Sequence, residues 1–259
     1  MTVDYTNRAC VPELLESFFD KHPRVALAFS GGTDSAYLLY AAKACGCDVR
    51  PFYAKSPFQP EFELKDAEKL CLQLNVEMTV VNIDVLSVPE IAINPSNRCY
   101  FCKQALFSAL TSRAKQEGYD VMIDGTNASD DASDRPGMKA LREIGVLSPL
   151  RACGITKREV REYSEKAGLF TWNKPAYACL ATRVPTGTEI TGELLRRVES
   201  AEEALFELGF TDFRVRVFEG AARLQLPGEQ MMRAVSMRSE IREAIESYFP
   251  VVMMDLRER

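Results

Sequence analysis

Histidine is almost missing from this chain: His22 stands alone among 259 residues. A Ser-His-Asp triad needs a histidine base, and three-histidine or H-E-x-x-H zinc sites need more than one. Placed in Asp20-Lys21-His22-Pro23, a turn ahead of the first predicted strand, His22 reads as a surface residue rather than a base. Long apolar runs are missing too, and none reaches the about 18–20 residues that a membrane span requires. The opening Met1-Thr2-Val3-Asp4-Tyr5 has neither a basic stretch nor an apolar one, so no secretory leader is expected, and a cytoplasmic protein is. Basic excess is absent: 32 Lys and Arg face 37 Asp and Glu, a net charge of −5. That balance speaks against a nucleic-acid backbone as the main partner. Two nucleotide signatures are lacking as well, the lysine of G-x-x-x-x-G-K-[ST] and the spacing of G-x-G-x-x-G.

What is present is ordinary in bulk. Hydrophobic residues make up 46% and charged residues 27%, as in a globular protein. Eight cysteines without a leader point to metal binding or catalysis before disulfides. Periodicity predicts strands at 24–29, 49–54, 77–83 and 119–123, with helices at 11–20, 36–44, 61–74, 103–117 and 157–167. The last begins at a capping box, Thr156-Lys157-Arg158-Glu159. Strand–helix alternation predicts an α/β fold with a parallel sheet covered on both faces. Residues 171–188, with Pro175, Pro185 and Gly187, read as an ordered linker. Beyond it a helix at 191–208, strands at 212–218 and 222–226, a helix at 229–247 and a strand at 251–254 suggest a small α+β unit. The expected domains are 1–170, the linker 171–188 and 189–259.

Ser30-Gly31-Gly32-Thr33-Asp34-Ser35 follows a buried-type strand and opens a helix. Glycines let the backbone turn sharply and approach a ligand, and the helix start offers N–H groups and a positive dipole end. Ser30 and Ser35 add hydroxyls, and Asp34 can hold magnesium. The stretch resembles the PP-loop of the ATP pyrophosphatases, which cleave ATP between the α and β phosphates. The resemblance covers roughly residues 24–170 and implies a Rossmann-like adenine nucleotide alpha-hydrolase fold. Asp124-Gly125-Thr126-Asn127 ends a later strand and is expected on the same carboxyl edge, with Gly125 and Asn127 at the nucleotide.

Cys99 and Cys102 stand at C-x-x-C spacing in Asn94-Pro95-Ser96-Asn97-Arg98-Cys99-Tyr100-Phe101-Cys102-Lys103, just before a predicted helix. That spacing lets both sulfurs face one metal centre, and Arg98, Lys103 and the helix start favour thiolate. Cys179 lies between Pro175 and Arg183 and reads as a loop thiol. Cys45, Cys47 and Cys71 read as small buried residues. Cys10 lies near the chain start, and Cys153 stays open as a fourth thiolate, which would close a structural zinc site.

The S-G-G-x-D-S loop, the N-P-x-x-R-C-Y-x-C-K block, the D-G-T-N stretch and the K-P-x-x-A-C-L-A-x-R block occur here in that order. Together they resemble the LarE family of ATP-dependent sulfur transferases over essentially the whole chain. The resemblance implies adenylation of pyridinium-3,5-biscarboxylic acid mononucleotide and its conversion to a thiocarboxylate for a nickel-pincer cofactor. It implies ATP and Mg2+, a sulfide or other sulfur donor, and a homo-oligomer, a hexamer. The cysteine pattern resembles the version in which Cys99, Cys102 and Cys179 hold a 4Fe–4S cluster with one iron left to carry sulfide. Sacrifice of the Cys179 sulfur is the other version. By the same resemblance Arg214 and Arg216 hold phosphate, and Arg98, Lys103 and Arg183 are further candidates to face substrate or phosphate. Arg214 and Arg216 also share a strand face by alternation. The departure is Gln225, where the family often has a glutamate; Glu202 is another acidic candidate for a second metal. An ammonia-using ligase of the same superfamily, a tRNA thiolase and a redox sensor without turnover are the competing readings.

Overall fold

The computed structural model describes residues 8–130 and 136–259; Met1 to Tyr5, read above for a leader, lies outside them. In chain order the elements are α1 (Glu13–Lys21), β1 (Arg24–Ala28), α2 (Thr33–Ala44), β2 (Asp48–Lys55), α3 (Glu61–Gln73), β3 (Thr79–Asn82), the short α4 (Pro89–Ala92), α5 (Arg98–Gln116), β4 (Met122–Asp124), α6 (Pro136–Ile144), the short α7 (Pro149–Ala152) and α8 (Lys157–Lys166). Then come α9 (Gly192–Glu207), β5 (Arg214–Phe218), β6 (Ala221–Gln225), α10 (Gly228–Ser236), α11 (Arg238–Ile245) and β7 (Val252–Met254). Among the described residues no helix is long and apolar enough to cross a membrane.

Two compact units form, and they interleave along the chain. The first takes the described residues through Ser56, then Glu61–Val85 and Cys99–Ala176; the second takes Pro57–Pro60, Leu86–Arg98 and Tyr177–Arg259. One unit boundary falls between Ala176 and Tyr177, and two earlier segments join the later unit.

In the first unit four strands run parallel in the order β3-β2-β1-β4. Alternation along β1 explains how both faces are covered. Val25 and Leu27 pack into a cluster with Leu15, Phe19, Leu39 and Val160, while Ala26 packs with Phe52, Leu110, Met122 and Leu141 on the opposite face. A parallel sheet buried on both sides reads as short, nearly continuous apolar runs. Strand order reverses at the β1–β4 pair, and ligands collect outside the carboxyl ends of strands at such a point.

Helices α5 and α6 differ from the sequence pattern. Helix α5 starts at Arg98 rather than near Lys103, because no glycine or proline interrupts the chain after Pro95 and Arg98 N closes a turn onto Pro95 O at 3.0 Å. Helix α6 is hidden in the sequence by Pro136-Gly137, which reads as a breaker, yet proline is well tolerated at a first helical position.

The second unit carries a three-stranded sheet in the order β5-β6-β7, antiparallel then parallel. Glu219 and Gly220 turn the hairpin with φ of +49° and +80°, the pairing a two-residue turn between twisted strands requires. The helix expected over 229–247 is two helices parted at Met237, where ψ reaches +22°. Ser236 Oγ donates to Arg233 O at 2.7 Å beside the break, a side-chain bond that competes with the helical ladder.

Candidate active site

In the first unit the glycine loop leaves β1 and enters α2. Gly31 holds φ +69°, and a Cβ on it would lie 3.0 Å from that of Ala67. Ser30 Oγ and Ser35 Oγ lie 3.1 Å apart, and Gly32 N donates to Ser30 Oγ at 3.3 Å. Gly32 is the N-cap of α2 and supplies no side chain to it, so the first-turn amides face outward as an anion seat. Thr33 is buried and its hydroxyl donates to Thr171 O at 2.9 Å, pinning the helix start.

The end of β4 closes on the same place. A Cβ at Gly125 would stand 2.9 Å from Ser35 N, so only glycine permits this approach. Asp124 is buried and accepts from Thr126 Oγ1 at 2.6 Å and Ser148 Oγ at 2.7 Å. Asp34 accepts from Asn127 Nδ2 at 3.1 Å on one oxygen, and Lys157 Nζ stands 2.6 Å from the other. Ser30, Asp34, Ser35, Asp124 and Gly125 line a cleft of about 360 Å³. The ammonium on Asp34 occupies a cation position, and this carboxylate, on the first turn of α2, fits a hard ion such as Mg2+.

Helix α5 forms another wall. Lys103 and Phe107 both line the cleft, and Cys99 precedes them at i−4 on the same stripe. Cys102 lies one turn from Cys99, so the two thiols share a helix face; Cys99 is exposed and Cys102 half-buried. A Cβ on Gly137 would meet Lys103 Cδ at 2.7 Å, so the lysine stem passes directly over that glycine. Two thiols one helical turn apart suit two corners of an iron–sulfur or zinc site. Among the described residues, no group of three His, Cys, Asp or Glu side chains that could hold a metal ion is found.

The second unit contains Cys179 at the entry to a short 3-10 turn, Leu180–Arg183. A buried ion pair holds this turn. Arg183 Nε donates to Glu202 Oε1 at 2.9 Å and Nη2 to Oε2 at 3.1 Å, while Nη1 donates to Ala178 O at 2.8 Å. Glu202 also accepts from Val215 N at 2.9 Å and from the Tyr177 hydroxyl. Burial, then the adjacent Glu202 charge, push the Tyr177 phenol far up, so it stays a donor. Burial pulls Arg183 down, but the Glu202 hydrogen bond and charge outweigh it and hold the guanidinium above its ordinary range.

Arg98, the first residue of α5, belongs to this unit too. It is 7% exposed and donates through Nη1 to Asn94 Oδ1 at 2.5 Å and Ala181 O at 3.0 Å. Arg98 and Arg183, expected at a phosphate, therefore spend hydrogen bonds on the Cys179 turn. Arg214 lies 4.9 Å from the Tyr177 ring centroid, and Arg216 donates to Thr182 O at 2.6 Å and to Gln225. Burial first, and the Arg183 charge next, hold both guanidiniums below their ordinary values.

No family model matches the chain. A pyridinium-3,5-bisthiocarboxylic acid mononucleotide synthase of Lactiplantibacillus plantarum is 32% identical over 236 residues, 90% of this chain and 86% of the relative. The chain belongs to the LarE family of ATP-dependent sulfur transferases. An uncharacterised Synechocystis protein is 40% identical over 224 residues, 86% of this chain and 84% of its own length. A tRNA-specific 2-thiouridylase of Clostridium botulinum shares 27% over 182 residues, 58% of this chain and 52% of that protein, which ties this LarE-family enzyme to the wider PP-loop superfamily.

Sequence reasoning about this LarE member leaves the bonding of three residues unread. Lys157 reads there only as part of a capping box; its signal is a lysine on the helix end where a cation is disfavoured. Asp124 reads as the start of a turn, with no sign of the three hydrogen bonds that fix it. Glu202 reads as a metal candidate, and nothing in its spacing foretells four donors. Gln225 accepts from Arg216 and donates to Asp255 Oδ2 at 3.1 Å. A glutamate could not donate to that carboxylate. Cys153 packs against the first unit's core, and burial pushes its thiol up.

Proposed function

We propose that this enzyme activates a carboxylate of pyridinium-3,5-biscarboxylic acid mononucleotide with ATP and converts it to a thiocarboxylate, in the cytoplasm and as a homo-oligomer. The observation that carries the reading is the α5 stripe, in which Cys99 leads to Lys103 and Phe107, both of which line the glycine-loop cleft. ATP would lie with its phosphates over the amides of 30–35 and its Mg2+ at Asp34. A substrate carboxylate oxygen attacks the α phosphorus, the α–β bridging bond breaks, and pyrophosphate departs with the electron pair. The outward amides of the α2 start and the Lys103 ammonium steady the charge that develops on it. Sulfide then attacks the acyl carbon, and AMP leaves with the bonding electrons. Adenylation is needed because a bare carboxylate has no good leaving group, and sulfide needs no histidine base. Cys99, Cys102 and Cys179 would hold a 4Fe–4S cluster, which would supply an iron without a protein thiolate to carry sulfide. Arg98, Arg183 and Glu202 keep the Cys179 turn in shape, and Arg214 and Arg216 offer charge for the substrate phosphate.

Anaerobic purification with iron and sulfide tests this. Wild type is expected to show visible iron–sulfur absorption, and pyrophosphate release that depends on the carboxylate. Cys99→Ala, Cys102→Ala and Cys179→Ala are each expected to lose colour and thiocarboxylate formation, while pyrophosphate release persists. Colourless wild type in which Cys179 becomes lighter by one hydrogen sulfide after a single turnover would move the reading to sacrificial transfer. ATP cleavage that ignores the carboxylate would remove the adenylation step.

A further inference from the structure

The cleft has an unusual charge arrangement for a site that must accept a polyphosphate. Asp34, Asp124 and Asp130 line it, with Lys103 the one cation among the described lining residues. Asp124 is occupied by Thr126 and Ser148, and Asp130 accepts from Asn127 N at 3.1 Å. Asp34 meets an ammonium, that of Lys157, at 2.6 Å. That pair is partly exposed, with the lysine side chain at 33% and the aspartate at 25%, so solvent and counter-ions can compete for it.

Lys157 is also anchored oddly for a residue that merely supports its own helix. It is the first residue of α8, at the positive end of the helix, where a cation is disfavoured. Its backbone N–H donates to Ser129 Oγ at 3.0 Å, and Ala128 N donates to Ile155 O at 2.8 Å. The segment that presents Lys157 is thereby stitched to the segment that presents Asn127 to Asp34. The α-carbon is fixed while a flexible four-carbon stem and a compact charge are left to turn.

We propose that Lys157 is the phosphate counter-charge of this site, parked on Asp34 until a magnesium-bound nucleotide displaces it. The inference rests on the reading that ATP binds this cleft and assigns a residue that the glycine loop itself lacks, a lysine at the phosphates. A divalent cation and the ammonium compete for one Asp34 oxygen, so arrival of the metal releases the lysine where negative charge has just entered. Parking also keeps the cleft from holding an unneutralised carboxylate in the empty state.

The test uses the whole chain and two readouts, one of which needs no nucleotide. Mn2+ binding to nucleotide-free protein is measured by electron paramagnetic resonance, and Mg·ATP binding by calorimetry, for wild type, Lys157→Ala and Lys157→Arg. With the competitor gone, Lys157→Ala is expected to bind Mn2+ at least about threefold more tightly and Mg·ATP about tenfold more weakly, the effect of one charged contact. Lys157→Arg keeps the charge and should stay within about threefold of wild type in both, which also guards against a folding artefact. Unchanged Mn2+ affinity in Lys157→Ala, or unchanged Mg·ATP affinity, overturns the proposal. Wild type that binds Mn2+ competitively with the lysine but no nucleotide would instead overturn the ATP reading of the cleft, so the two failures are distinguishable.

Discussion

Glu202 gathers the second unit's polar bonding close to Cys179. Two bonds from Arg183, one from Val215 N and one from Tyr177 converge on a carboxylate that is 2% exposed. A buried charge pair is a weak source of stability as a whole, but removing one partner strands the other. Glu202→Gln is therefore expected to destabilise the protein by about 3 kcal/mol, read as a lowered urea midpoint. Arg183→Met with Glu202→Leu should recover much of that loss, since no charge is then left alone. If the single variant unfolds like wild type, Glu202 is not the anchor described here. The metal role open to it from the sequence is hard to combine with four donors already in place.

Helix α8 shows how an element can carry more than its own stability. Its capping box is complete: Thr156 accepts from Glu159 N at 3.3 Å, and Glu159 accepts from Thr156 N at 2.8 Å. Loss of a side-chain cap costs about 1 kcal/mol. Thr156→Ala should lower thermal stability by that amount and also weaken nucleotide binding, because Lys157 follows the cap directly. A variant that loses stability without any change in nucleotide affinity would separate the two roles. Elements with strong local grammar are legible in the sequence: β1 to β4, α2, α3 and α8 all fall within a few residues of their periodic pattern. Glycine-loop placement is legible too, since a strand, two glycines and a helix leave few geometries. What escapes is long-range. Nothing local marks Lys157 for Asp34, Arg98 for Ala181, or Gly137 as the floor under Lys103. The sequence pattern cuts α5 short because C-x-x-C suggests a loop, whereas the thiols lie at the start of the helix itself.

At the scale of the whole molecule, much of the cysteine content belongs to the interior of the first unit. Cys47 and Cys71 are buried there, and burial pushes both thiols up to about 12. An unfolded chain releases those protons nearer 9, so in between the native state holds protons that the unfolded state has lost. Stability that is complete below about pH 9 is then expected to drain away as pH rises toward 12, by up to about 1.4 kcal/mol per pH unit for each thiol. Urea midpoints measured from about pH 8 to 11 should fall, and Cys47→Ala with Cys71→Ala should flatten the slope. A midpoint independent of pH in that range would mean that these thiols ionise alike in both states.

The interleaving of the two units has a consequence for synthesis. Leu86–Arg98 leaves the ribosome long before Tyr177–Arg259, yet Asn94 and Arg98 find their partners at Ala181, Val184 and Pro185. The opening turn of the thiol helix is consequently tied off only after residues 181–185 have been made. A nascent chain in that interval carries Cys99 and Cys102 on a helix whose first residue has not yet met the carbonyl of Ala181.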